Sequence, residues 1–287
     1  MTETTRICVL GNSHLASMKT GWSLISEAFQ AFDLKFFGAP KAMMDGLTLE
    51  GSALVPGNDK LRRKLAMFSE GAETIDLNAF DAFVVVGLQF GPRRLAQLYR
   101  THRSVSFEWR EPLTDLAPMV SKEQPVTAIS ERLFSDAIIA GLTDTMAIRI
   151  IEMIRDVTEK PIYLVSAPYF SELALETGDW DAVIGSGDVD VLAQRFRKYA
   201  RHACPVHVNL VLTPSRLTKH GFFTAKEYAV SPTEDGFQDL VHTTDQYGAA
   251  ILRSVFATMR KTERLETAAD AKAAKARVTR ILRGSRQ

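Results

Sequence analysis

The sequence predicts an α/β protein of three layers: a mainly parallel five-stranded sheet with helices on both faces. Three observations predict it. Short apolar runs alternate with longer stretches of helical periodicity along the first 260 residues. Several of these runs stop at glycine or at a small-residue turn ending in proline. The chain has 287 residues, 46% hydrophobic and 24% charged, enough to bury such a sheet without disulfides or metals.

The elements follow in order. Residues 6–10 are apolar and end at Gly11-Asn12, a buried strand stopped by turn residues. Leu15, Met18, Trp22, Ile25 and Phe29 then recur at helical spacing, with Ser13 near the N-cap. Residues 33–37 read as a second strand, ending at Gly38-Ala39-Pro40, and residues 60–68 as a helix. The β-branched run at residues 80–86 is a third strand, ending at Gly87. Residues 130–157 are helical, with a break expected near Gly141. A fourth strand at 161–165 ends in Ser166-Ala167-Pro168. A helix at 189–202, a fifth strand at 206–212 and a last helix at 244–259 complete the pattern. The reading is one domain over residues 1–260, with an insertion or lid at 104–128. A basic helical tail spans 261–287, with eight Lys or Arg against three Asp or Glu.

Composition narrows the function. A formal net charge of +1 argues against a dedicated nucleic-acid binder, whose affinity comes from neutralising phosphates. No apolar run approaches the length that spans a bilayer. Cys8 and Cys204 make no disulfide framework and read as packed thiols. The polar N-terminus lacks the pattern of a secretion signal, so a cytoplasmic location is expected. There is no phosphate-binding G-x-x-x-x-G-K-[ST] loop, H-E-x-x-H or paired C-x-x-C, so neither a metal nor a cofactor is expected. Gly185-Ser186-Gly187 lacks the third glycine of a dinucleotide fingerprint. Gly11-Asn12-Ser13-His14-Leu15 lacks the second glycine of the G-x-S-x-G elbow.

In a parallel α/β sheet, ligands bind at the carboxyl ends of the strands. That directs attention to residues 11–14, 38, 87–91 and 166–170. Ser13 sits in the turn between the first strand and the first helix, where a hydroxyl is exposed and a helix N-terminus favours negative charge. A plain N-cap serine is the competing reading. Near the other end, Asp239-Leu240-Val241-His242 precedes a helix start marked by Thr243 and Gln246 at capping-box spacing. Three residues on a curved loop allow the Asp239 carboxylate to reach the His242 ring, fixing its tautomer and freeing Nε2 as a base. A surface pair is the competing reading there.

Together, Gly11-Asn12-Ser13-His14 after a first strand and Asp239-x-x-His242 before a last helix resemble the SGNH (GDSL-like) hydrolase family. The matching blocks are short and spread over residues 6–248. The resemblance implies a flavodoxin-like α/β/α fold and an esterase, lipase, thioesterase or carbohydrate O-acetyl esterase activity, with acyltransferases among its members. It implies Ser13 as nucleophile, His242 as base and Asp239 as orienting acid. It also implies an oxyanion hole from the Ser13 N–H, the Gly38 N–H and a side-chain amide after the third strand.

Two positions depart from the family pattern: Asn12 stands where Asp is commoner, and Gln89 where Asn is expected. Gln89 keeps the amide but is one methylene longer, and a displacement of about 1 Å costs roughly 10²-fold. Asn12, Arg93 and Arg94 are candidate substrate-binding residues, the arginines for a carboxylate or phosphate, with a solvated helix start as the competing reading of the two arginines. His14 reads as a pocket-rim residue. The expected substrate is a small acyl ester, O-acetylated carbohydrate included. Acyl transfer to a glycan and non-catalytic binding on the same fold are the competing functions.

Overall fold

The computed structural model describes residues 4–104, 127–177, 180–231 and 239–262. Most of the expected lid and nearly all of the basic tail lie outside the described residues.

Five strands form the central sheet: β1 (Thr5–Gly11), β2 (Phe32–Gly38), β3 (Ala82–Val86), β4 (Ile162–Val165) and β5 (Val208–Val211). All their pairings are parallel, in the order β2-β1-β3-β4-β5, the order of flavodoxin-like sheets. The register brings the carboxyl ends level. Gly11 pairs with Gly38 and Val86, Val86 with Val165, and Val165 with Val211. The strand order reverses at β1, so the loop after β1 opens onto the topological switch point.

The longer helices among the described residues are α1 (Leu15–Ile25), α2 (Asp59–Phe68), α3 (Arg93–Thr101), α4 (Glu131–Thr143), α5 (Met146–Arg155), α6 (Asp188–Ala203) and α7, over residues 245–262. Successive strand residues point to opposite faces, which divides the core in two. Cys8, Leu10, Phe83, Val85, Ile162 and Leu164 pack with apolar residues of α2 to α6. Ile7, Val9, Val84, Val86, Tyr163 and Val165 pack with Leu15 and Met18 of α1 and with Ile251, Val255 and Phe256 of α7. Each such fully buried aliphatic or aromatic side chain contributes about 1.5–3 kcal/mol before entropy is counted. The expected three layers are therefore present, and α1 and α7 share one face.

The helical stretch after residue 130 breaks later than the sequence suggests. Gly141 stays inside α4, and the chain bends at Asp144 and Thr145. There Thr145 is extended (φ −123°, ψ 155°), fully buried, and its hydroxyl donates to Leu142 O at 3.0 Å. An isolated glycine is tolerated in a helix, and the extended backbone at Thr145 is where the helical path stops. The Ser130 hydroxyl caps α4, accepting from the Leu133 N–H at 3.1 Å. The sequence reading also lacked two small sheets. One joins Leu47–Glu50, Ala53–Pro56 and Ile75–Asp76, the other Phe170–Ser171, Phe223–Thr224 and Thr218–Lys219. The ends of the expected lid pair in parallel as His102–Ser104 and Thr127–Ile129.

Candidate active site

The turn after β1 is tight because Gly11 permits it. A Cβ on Gly11 would lie 2.9 Å from the Leu15 side chain and 3.1 Å from Val86 O. The Asn12 side-chain oxygen accepts from the His14 N–H at 3.3 Å, an Asx turn that an Asn makes as well as an Asp. The Ser13 N–H lies beside the start of α1 with no acceptor among the described residues. Ser13 is not the helix cap. That position belongs to His14, which makes no side-chain capping bond. The Ser13 hydroxyl is taken up elsewhere, by a residue 229 positions away: Ser13 Oγ lies 2.9 Å from His242 Nε2.

The other ring nitrogen of His242, Nδ1, lies 2.6 Å from Asp239 Oδ2. The same carboxylate closes the loop on itself, its Oδ1 accepting from the backbone N–H groups of Val241 and His242, both at 2.9 Å. Burial alone would raise the Asp239 pKa. The two backbone donors and the imidazole outweigh burial and hold the carboxyl below the usual carboxylate range. Asp239 thus remains an anion wherever an ordinary aspartate would be one. A hydroxyl bonded to an imidazole whose far nitrogen is held by a carboxylate is the arrangement that general-base activation of an alcohol requires.

Three further bonds hold the His242 loop. Ser171 N–H donates to Leu240 O at 2.9 Å, and Thr244 N–H donates to Tyr228 O at 2.9 Å. Thr243 Oγ1 donates to Ser17 Oγ at 3.1 Å, and Ser17 Oγ donates to His14 O at 3.1 Å. The last pair corrects the expected capping box. The Thr243 hydroxyl reaches across to α1 instead of capping α7, and so ties the loop carrying His242 to the turn carrying Ser13.

Helix-to-helix approach brings these two ends together, and it depends on two glycines the sequence reading passed over. A Cβ on Gly248 of α7 would sit 1.9 Å from Ser17 O, and one on Gly21 of α1 would sit 2.4 Å from the Ala249 N. Glycine inside a helical pattern was the available signal for such a backbone contact.

Gly38 departs from expectation. Its N–H donates to Ser69 Oγ at 3.0 Å, and Ser69, with 0% exposure, donates back to Gly38 O at 3.4 Å. As the last residue of β2, Gly38 lies so close to Gly11 O that a Cβ would meet it at 2.2 Å. Ser69 covers the amide from behind. This N–H is engaged in a buried bond, not open at the strand end as an oxyanion donor.

Gln89 lies at the end of a run of three left-handed residues, Gly87 (φ 66°), Leu88 (φ 47°) and Gln89 (φ 72°). For the two non-glycines this costs of order 1–3 kcal/mol each. The turn is held by a fully buried Leu88 side chain and by three bonds. These run from Gly87 N–H to Val165 O (2.9 Å), Phe90 N–H to Gly87 O (2.8 Å) and Ala147 N–H to Leu88 O (3.2 Å). The result is an exposed Gln89 side chain in the wall of a cavity of about 290 Å³.

Asn12, His14, Arg93, Arg94, Ala167–Phe170 and Val241 line the same cavity. Asn12 and His14 flank Ser13 in the chain and Val241 precedes His242, so the cavity lies next to the segments that carry the bonded pair, although neither Ser13 nor His242 lines it. The expected substrate-binding residues are thus gathered around one space. Among the described residues, no three His, Cys, Asp or Glu side chains gather as metal ligands.

His14 has a second peculiarity. Its Nδ1 is sealed from water with no hydrogen-bond partner, and its ring centroid is 5.8 Å from that of His242. Burial first, and the neighbouring His242 second, lower its pKa from 6.5 to about 4. A group easier to protonate in the unfolded chain costs stability on acidification. Its contribution is therefore present above about pH 6.5 and is lost as the pH falls through about 4. We expect the Tm of His14→Gln to fall less steeply over that window than that of the unsubstituted protein. Parallel slopes in scanning calorimetry would remove His14 as the cause.

No family model matches the chain, and no curated protein matches it. Solved structures do. The chain is similar to a lipopolysaccharide acetyltransferase periplasmic domain from Salmonella ser. Paratyphi A, at 11% identity and a TM-score of 0.41. That match covers 90% of this chain and 85% of the other. It is also similar to an acetyl xylan esterase from the rumen bacterium Butyrivibrio proteoclasticus, at 12% identity and a TM-score of 0.37, over 91% of this chain and 65% of the other. A DUF4886 family protein from Bacteroides uniformis matches at 9% identity and a TM-score of 0.27, over 78% and 77%. Among the described residues no helix is long and apolar enough to cross a membrane.

Proposed function

We propose that this protein is a serine ester hydrolase of the SGNH type, acting on a small acyl ester through Ser13, His242 and Asp239. The observation that carries this reading is the 2.9 Å contact between Ser13 Oγ and His242 Nε2, with Asp239 on the far side of the ring at 2.6 Å. His242 takes the proton of Ser13 as the oxygen attacks the acyl carbonyl. The Ser13 N–H receives the oxyanion at the start of α1, and Gln89, in the adjoining wall, supplies a side-chain amide. One such donor is worth roughly 10²–10³-fold in rate. His242 then gives its proton to the departing alcohol. It next takes a proton from water, which adds to the acyl group, and the free acid leaves as Ser13 regains its hydrogen.

Hydrolysis is favoured over transfer because the His242 side chain is 43% exposed, so water reaches it. An O-acetylated carbohydrate is the preferred substrate class on the resemblance of the sequence motifs to a family that contains carbohydrate O-acetyl esterases. The test is covalent. A fluorophosphonate is expected to add one phosphonyl group, located at Ser13 by peptide mass spectrometry, and Ser13→Ala is expected to remain unmodified. Labelling at another residue, or of both proteins alike, overturns the assignment.

A further inference from the structure

The cavity beside Ser13 carries more positive charge than the fold needs. Arg93 and Arg94 open α3 at its first turn, where no acidic residue is present. Cations at a helix N-terminus face the positive end of the dipole and are unfavourable there. The pair is not offset by local carboxylates: among the described residues no Asp or Glu forms an ion pair with either. Both guanidinium-bearing side chains line the cavity instead, together with Gln89 and Gln97. The Arg93 guanidinium stands 5.7 Å from the centroid of the Phe170 ring across the cavity, a cation–π contact that limits where it can swing. On the wall next to Ser13, His14 is held neutral and adds no charge of its own.

We propose that this cavity is an anion-recognition subsite, and that the ester it admits is an O-acetylated sugar bearing a carboxylate or phosphate. This rests on the ester-hydrolase reading of Ser13. A guanidinium presents parallel N–H donors that match the two oxygens of either group. Two arginines that make no ion pair with a carboxylate among the described residues provide that fork directly. The amide of Gln97 supplies a neutral donor to the sugar hydroxyls or to the remaining anion oxygens.

The experiment has two arms. In the first, kcat/KM is measured for an acetylated neutral sugar, an acetylated uronic acid and an acetylated sugar phosphate. At low salt the better anionic ester is expected to exceed the neutral one by about 10- to 100-fold. In Arg93→Gln/Arg94→Gln the ratio of anionic to neutral kcat/KM is expected to fall toward one, and the preference is expected to weaken as salt rises. In the second arm, glucuronate, glucose 6-phosphate and glucose are titrated into Ser13→Ala by calorimetry, which reads binding without turnover. The acidic sugars are expected to bind in preference to glucose, and the double arginine substitution is expected to abolish the difference. The uronate and phosphate titrations separate the two anions. Binding of an acidic sugar without any hydrolysis by the unsubstituted protein leaves the subsite standing and overturns the hydrolase reading. Hydrolysis with a ratio near one and no preferential binding overturns the subsite. Preference retained by the double variant overturns the assignment to Arg93 and Arg94.

Discussion

Ser13→Ala and His242→Ala are each expected to lower turnover of 4-nitrophenyl acetate by roughly 10⁴- to 10⁶-fold, and the double variant by no more than either alone. The reason is that the hydroxyl and the imidazole act as one unit. Without the base, Ser13 is an ordinary alcohol, and without the serine, His242 has nothing to deprotonate but water. Asp239→Asn is expected to cost about 10⁴-fold while leaving the contacts in place, because an amide donating to Nδ1 selects the wrong tautomer. The measurement is kcat/KM with each purified, folded variant. A Ser13→Ala protein that keeps a tenth of the activity, or a double variant whose loss multiplies the two single losses, sinks the mechanism.

Gly248→Val is expected to cost about 3 kcal/mol or more of folding stability and to reduce activity in whatever protein remains folded. The new Cβ would have to occupy a point 1.9 Å from Ser17 O and 2.4 Å from Ser17 C. These are backbone atoms of α1, so no rotamer change relieves the overlap and the two helices must part. Parting them stretches the Thr243–Ser17 bond and pulls His242 away from Ser13. A displacement of about 1 Å there costs roughly 10²-fold in rate. Gly248→Ala places the same Cβ with less bulk and serves where the valine variant does not fold. Urea unfolding reads the stability, and 4-nitrophenyl acetate turnover reads the alignment. An unchanged unfolding midpoint in both variants would show that the helices do not meet as described.

Much of the architecture was legible because strand and helix periods are local properties. Ile7, Cys8, Val9 and Leu10 alternate between two buried faces. That pattern, repeated in β3 and β4, can be satisfied only by a sheet covered on both sides. Boundaries were less legible. The break between α4 and α5 falls at Asp144 and Thr145, three residues past Gly141, which stays helical. The small sheets escaped notice because two- to four-residue strands carry too few side chains to show a period.

The alternation of strands and helices, the serine in the turn after β1 and an aspartate three residues before a histidine are all readable along the chain. These rest on bonded neighbours and short spacings, which a linear text records. That Ser13 and His242 meet, that Ser69 occupies the Gly38 amide, and that Arg93 and Arg94 line one cavity follow from the packing of the folded chain. The first depends on how closely two backbones approach at Gly21 and Gly248, and the second on their approach at Gly11 and Gly38. Such an approach is a property of packed surfaces that are remote along the chain, so no local pattern encodes it.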